Sequence, residues 1–181
     1  QIDFEKRFAN MQIHSGEHIL SGVIFSELKL HNVGFHMGHE VNTIDLDGEA
    51  YTLEEMEALG MLVDVSHLND RGFNELLEIV RKPFAASHSN ARSVCPHRRN
   101  LTDDQIRELV RRRCLIGLNY YDIFLRGDGQ VPTLDDLYRH AEHFLALGAE
   151  DCLALGSDFD GADLPPCLDG PEKAAGLYGY F

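Results

Sequence analysis

No Cys-x-x-Cys pair, no apolar stretch long enough to cross a bilayer and no excess of basic charge occur in this sequence. The four cysteines, Cys95, Cys114, Cys152 and Cys167, stand far apart, which argues against a disulfide framework and leaves buried, reduced thiols as the expectation. With neither a spanning run nor a signal peptide, the expectation is a soluble cytoplasmic protein without a membrane partner. The chain carries 16 basic against 30 acidic residues, a net charge of −14, which disfavours non-specific binding to nucleic acid or to anionic lipid. Low-complexity segments and sequence repeats are also missing. What remains is an ordinary globular composition, 44% hydrophobic and 25% charged over 181 residues, enough for one sizeable domain or two small ones.

The most regular part runs from Gly60. Met61–His67 reads as a strand, Asp70–Val80 as a helix, Pro83–His88 as a second strand, and Thr102–Arg113 as a helix capped by Thr102 with acids in its first turn. Cys114–Tyr120 is a third strand, Thr133–Leu147 a helix closed by Gly148, and Cys152–Asp158 a fourth strand. Strands and helices alternating through short connections predict an α/β fold with a parallel sheet. The strands are almost continuously apolar, as in sheets covered on both faces. Four such units amount to half of an eight-stranded (β/α)8 barrel.

Residues 1–59 have a different texture. Phe8–Leu30 predicts a helix with apolar residues at Met11, Ile19, Leu20, Val23, Ile24 and Leu28. His14 and His18, four apart, share one helical face and form a candidate metal pair. Val33–His39 and Glu40–Gly48 suggest a hairpin. Thr52 and Glu55 then form a capping-box pattern at the start of another helix.

A polar residue ends each strand of the regular part: His67, His88, Asn119 and Asp158. In parallel α/β folds this is the edge where ligands and metals bind. Two imidazoles and a carboxylate there suit zinc, which acidifies bound water. Taken singly, each histidine could equally cap a strand and bond backbone. The loop after His88, Ser89-Asn90-Ala91-Arg92 to His97-Arg98-Arg99-Asn100, adds guanidinium groups able to clamp a substrate carboxylate. The same loop could instead pair with the acidic Asp103-Asp104. In Ser157-Asp158-Phe159-Asp160-Gly161 the two acids could serve as base or ligand, or Asp160-Gly161 could form a turn.

LVDVSH, PFAASHSNARSVCPHRRNLTDDQIR, IGLNYYDIFL and LGSDFDG, within residues 61–181, closely resemble the membrane (renal) dipeptidase family of zinc peptidases. That family is a (β/α)8 barrel whose two-zinc site hydrolyses dipeptides, and the resemblance implies that this chain carries its C-terminal half. It also implies that His67 and His88 ligate one zinc, that Arg99 (or Arg98) holds the substrate carboxylate, and that Asp158 handles the proton of the attacking water; Asn119, at its strand end beside them, is a further candidate for substrate binding. The family's first strand carries a His-x-Asp pair for the other zinc, its third a bridging glutamate and its fourth a further histidine. None of these is recognisable before Met61, so the ligand set is incomplete and one zinc or fewer is expected. A half-barrel also leaves two open strand edges, which implies a homo-oligomer.

Residues 4–57, with RFANMQIHSGEHILSG, VGFHMG and TIDL, look like the alanyl-tRNA editing proteins, zinc-dependent deacylases. That resemblance implies His14 and His18 as zinc ligands and mischarged tRNA as substrate, although the later Cys-x-x-x-His ligands of that family are absent. The expected organisation is therefore a mosaic, an editing-like fragment over 1–59 joined to a dipeptidase-like half-barrel over 60–181. In this arrangement His14 and His18, or His36 and His39, could fill the missing ligand positions, or a second copy could supply them. Three functions follow: a dipeptidase, an editing deacylase, or an inactive scaffold.

Overall fold

The computed structural model describes residues 4–37, 42–48, 52–58, 60–159, 161–174 and 176–177. Of the positions named above, His39, Glu40 and Asp160 lie outside them. The chain divides into two compact units, residues 1–51 and 52–181.

The first unit is a 25-residue helix, α1 (Phe4–Leu28), followed by the antiparallel pair β1 (Asn32–Met37) and β2 (Asn42–Leu46). The expected helix and hairpin both form. The expected apolar face is not covered, however. Met11, Ile19, Leu20 and Val23 are all about half exposed or more, and Ile24 is half-buried. A two-stranded hairpin is too small a surface to bury a helix of this length. Among the described residues of this helix the buried one is polar: Glu17, which accepts hydrogen bonds from Ser21 and Asn32.

The second unit opens with α2 (Leu53–Ala58), whose capping box forms as expected, with Thr52 N–H on Glu55 and Glu55 N–H on Thr52 Oγ1 at 3.2 Å. Buried Glu57 then takes the backbone N–H groups of Arg81 and Lys82, fastening α2 to the turn before the sheet.

A three-stranded parallel sheet, in the order β3-β4-β5, carries the unit: β3 (Ala85–Ala86), β4 (Leu115–Asn119) and β5 (Leu153–Ser157). The strand expected over Met61–His67 contracts to a bridge at Asp64, made by Val65 N–H on Ala85 O and Ala85 N–H on Val63 O. Met61 and Leu62, with no neighbour on that side among the described residues, are 47% and 67% exposed. The expectation of strands buried on both faces holds for β4, where Ile116 to Asn119 are all buried. It fails for the edge strand β5, where Leu155 is exposed. An edge strand lacks the second neighbour that burial requires.

Helices α3 (Asp70–Ile79), α4 (Asp103–Arg111) and α6 (Leu134–Ala146) follow the bridge, β3 and β4, with the short α5 (Asp122–Leu125) between β4 and α6, and α7 (Pro171–Ala174) late in the chain. Their inward residues Phe73, Ile106, Leu109, Leu137, Ala141 and Phe144 share one core with Ile116 and Leu118 of β4. All four cysteines are free thiols, three of them buried. At α4, Thr102 Oγ1 takes the Gln105 N–H and Gln105 returns a bond to the Thr102 N–H. Thr102→Ala is therefore expected to cost about 1 kcal/mol in urea unfolding with an unchanged m-value.

Alternation along β4 puts Gly117 and Asn119 on the face opposite Ile116 and Leu118. A Cβ at Gly117 would lie 2.0 Å from the Ser87 carbonyl oxygen, and one at Gly156 2.1 Å from it. Only glycines let the chain leaving β3 cross the sheet this closely. Ser89 N–H then bonds Gly117 O, setting the position of the loop that follows His88.

Candidate metal and substrate site

His67 follows the Asp64 bridge and His88 follows β3, so the parallel pairing brings both imidazoles to one end of the sheet. Their Nε2 atoms lie 3.0 Å apart, with ring centroids separated by 5.0 Å. Two imidazoles on one tetrahedral zinc, each at about 2.0–2.1 Å, would hold their nitrogens about 3.3 Å apart. The pair therefore fits a shared metal with little adjustment. Partial desolvation of the still-exposed ring, followed by the positive charge of Arg99 and the neighbouring His88, lowers the His67 pKa and favours the neutral form that a metal requires.

The other predicted residues surround this pair unequally. Arg99 is half-buried, donates from Nε to Ser66 O at 3.0 Å, and lies over the Phe124 ring at 5.5 Å, so its position is fixed while it remains a cation. Arg98 is exposed, and its carbonyl accepts from Arg92. Arg92 is committed elsewhere, forking onto both Asp70 oxygens at 2.8 Å. The loop's Arg92 guanidinium thus pairs with Asp70, not with Asp103-Asp104; Asp103 instead accepts the hydroxyl of Ser93 from the same loop and pairs with His143, and Asp104 bonds Arg107.

Asp158 stands at the end of β5, where Ser157 and Asp158 both adopt positive φ, 44° and 78°. Such backbone persists where surrounding structure imposes it, commonly at working sites. The Asp158 charge acts on both His67 and Arg99, and its Oδ2 accepts from Asn119 Nδ2 at 3.0 Å. Asn119 is fully buried. Its two amide hydrogens go to Asp158 and His88 O, and its Oδ1 takes the Tyr121 N–H. It braces Asp158 against the strand of His88.

Two positions were missed by sequence reasoning. Asn90, fully buried, bonds the backbone N–H and C=O of Asn119 with its side-chain amide, standing in for a strand neighbour. Asp64 accepts from Ser66 N, Ser66 Oγ and Ser87 N at about 3 Å, and also from Ser87 Oγ. Burial alone would raise its pKa; the bonds from Ser87 and Ser66 outweigh that and hold the carboxyl below its usual range. Asp64 does lie in the apolar strand run, where an acid needs partners, and that was the available signal.

In the first unit, His14 Nε2 and His18 Nε2 are 2.7 Å apart, and with Glu17 they offer ligand atoms within 4.8 Å of one another. The rings are exposed and the carboxylate is buried. His36 lies on β1, with Nε2 3.0 Å from Asp45.

A profile of the membrane dipeptidases, peptidase family M19, matches residues 35–178, beginning within β1 and upstream of Met61. An uncharacterized Klebsiella pneumoniae protein from the pqqA 5′ region is 40% identical over 116 residues, 62% of this chain and 43% of its own length. An uncharacterized dipeptidase of Schizosaccharomyces pombe is 36% identical over 121 residues, covering 65% of this chain and 29% of its own. Among solved structures, a Rhodobacter sphaeroides metallopeptidase liganded with a phosphinate mimic of the dipeptide L-Ala-D-Ala superposes with a TM-score of 0.64 at 33% identity, over 83% of this chain and 45% of that one. A second dipeptidase of family M19 gives the same TM-score and coverage at 32% identity. The chain spans less than half the length of these relatives. With the family profile matched along most of its length, this chain belongs to the membrane dipeptidase family of peptidases, M19.

Proposed function

We propose that residues 60–181 form the C-terminal half of a (β/α)8 barrel and carry part of a zinc-dependent dipeptidase site, within a mosaic whose first 59 residues are editing-like. The observation that carries this reading is the pair of Nε2 atoms 3.0 Å apart, with the charges of Arg99 and Asp158 acting on His67. His67 and His88 would hold the metal. The chemistry supplied by a zinc bound there is Lewis-acid polarisation of the peptide carbonyl and acidification of water. Arg99, fixed on Phe124 and Ser66, binds the C-terminal carboxylate of the dipeptide and orients its scissile bond. Asp158, oriented by Asn119, accepts a proton from the attacking water and returns it to the leaving amine. The remaining ligands come from outside this set of residues, and a homo-oligomer that pairs the open sheet edges is one source of them.

The phosphinate dipeptide mimic bound by the Rhodobacter relative supplies a probe. The zinc-loaded chain is expected to bind that mimic and to hydrolyse L-Ala-D-Ala. Arg99→Ala should weaken mimic binding by roughly ten- to a hundredfold, the loss of a charged hydrogen-bond pair, as read by calorimetric titration. Equal binding by wild type and variant would remove Arg99 from the site. A chain without zinc, binding or turnover would be the inactive scaffold.

The His14, Glu17 and His18 cluster favours a second reading, a zinc-dependent deacylase of mischarged alanyl-tRNA. Turnover of mischarged alanyl-tRNA that His14→Ala abolishes would support it; the net charge of −14 opposes tRNA binding.

A further inference from the structure

Ser87 and Asp64 are used by none of the steps above, yet they join in a chain that ends on a histidine ring. Ser87 Oγ lies 2.7 Å from His88 Nδ1 and bonds Asp64 Oδ2 on its other side. Counting hydrogens settles the direction. Asp64 Oδ1 takes three donors, Ser66 N, Ser66 Oγ and Ser87 N, and the carboxyl is held below its usual range despite burial, which leaves Oδ2 as an acceptor facing Ser87 Oγ. That is the pattern of an ionised carboxylate, which accepts only. The single hydroxyl hydrogen of Ser87 therefore points at Asp64. The short contact to His88 then needs its hydrogen from the ring, so Nδ1 is protonated and Nε2 keeps its lone pair. Ser66 holds the backbone of the same residue, since Ser66 Oγ gives its hydrogen to Asp64 at 2.9 Å and accepts the His88 N–H at 3.0 Å.

The geometry points to Ser87 as a positioning residue that, bridging Asp64 to His88 Nδ1, fixes the tautomer in which His88 Nε2 is a ready metal donor. The inference rests on the reading of His88 as a metal ligand, and it adds what orients that ligand and excludes the tautomer unable to bind. In the metal-free protein the 3.0 Å contact between the two Nε2 atoms is then a bond donated by His67 to His88. Binding a metal between them displaces that proton and requires no rearrangement of His88.

Two measurements on the full chain test this separately from the metal reading. Long-range ¹H–¹⁵N spectra of the metal-free protein should show His88 protonated on Nδ1, with the Nε2–H tautomer gaining population in Ser87→Ala. A proton on Nε2 in the wild type overturns the inference whether or not metal binds. Zinc affinity is then compared in a His14→Ala, His18→Ala background, so that the metal counted belongs to the second unit. Ser87→Ala should weaken zinc binding by roughly ten- to a hundredfold and Ser87→Thr, which keeps the hydroxyl, should restore most of it. Undiminished affinity in Ser87→Ala, or a loss that Ser87→Thr fails to repair, overturns the positioning role. If the parent takes up no zinc, the dipeptidase reading falls and the tautomer spectrum alone decides the role of Ser87.

Discussion

Zinc binding by the second unit is expected to fall by more than about a hundredfold in either His67→Ala or His88→Ala, and to vanish in the double variant. Each substitution deletes one of the two imidazole donors that face each other across 3.0 Å, and a ligand contributes more than the outer-shell partners whose loss alone costs about ten- to a hundredfold. His67 is exposed and His88 half-buried, so neither supports the core, and the thermal unfolding midpoint without metal should barely move. Competition against a chromophoric chelator, again with His14 and His18 replaced, gives the affinity directly. Zinc retained at full strength by both single variants would remove the site from this end of the sheet. Zinc lost only when His14 and His18 are replaced would transfer the metal to the first unit and favour the deacylase.

What was legible in the chain follows from how local each cause is. The helices beginning at Thr102 and Thr133 were readable because cap, acidic first turn and apolar period lie within a dozen residues, and β4 because its apolar run is covered on both faces. The strand at Met61–His67 was overread: its residues are those of a strand, but a strand needs a run of successive pairs with a neighbour, and the described residues supply a single bridge, at Ala85. The apolar period of α1 was likewise real and still failed to mark a buried face, since burial depends on what lies opposite. At the site, His67, His88 and Asp158 could be named from their places at strand ends. Strand position could not choose between Arg92, Arg98 and Arg99, and only the family resemblance pointed to Arg99 (or Arg98), because the choice turns on Asp70 capturing Arg92 from 22 residues away and on Phe124 lying under Arg99. The same holds for Asp64 and Ser87, joined only through the register that sets Asp64 beside Ala85.

The largest stability effect is expected at His140, a residue to which sequence reasoning gave no role. Its side chain is wholly buried on α6, where Nδ1 accepts the Ala91 N–H and Nε2–H donates to Leu125 O, both at 3.1 Å. One neutral ring thus joins the loop after His88 to the segment carrying Phe124, on which Arg99 lies. His140→Ala strands a buried N–H and a buried C=O and leaves a cavity, and should cost about 3–5 kcal/mol in urea unfolding at pH 7. Protonation attacks the same bonds, because a hydrogen on Nδ1 expels the Ala91 donor. Burial, reinforced by Arg139 and His143, pushes the His140 pKa down to about 4, with the bond to Leu125 partly opposing it. The unfolded chain, with an ordinary value near 6.5, then binds a proton that the folded chain refuses, so stability rises with pH between about 4 and 6.5 and is lost as pH falls through that window. The slope approaches about 1.4 kcal/mol per pH unit and the total is about 3 kcal/mol. Glu108 and Asp128, held at about 2 by Arg111 and Arg126, lose their own contribution only as pH falls from about 4.5 towards 2, and do so equally in wild type and variant. Unfolding curves of wild type and His140→Gln at pH 7, 5.5 and 4.5 isolate the histidine, since their difference in stability should shrink by about 2 kcal/mol or more across the series. A difference independent of pH would mean that His140 is protonated in the fold, with the loop after His88 held by some other bond.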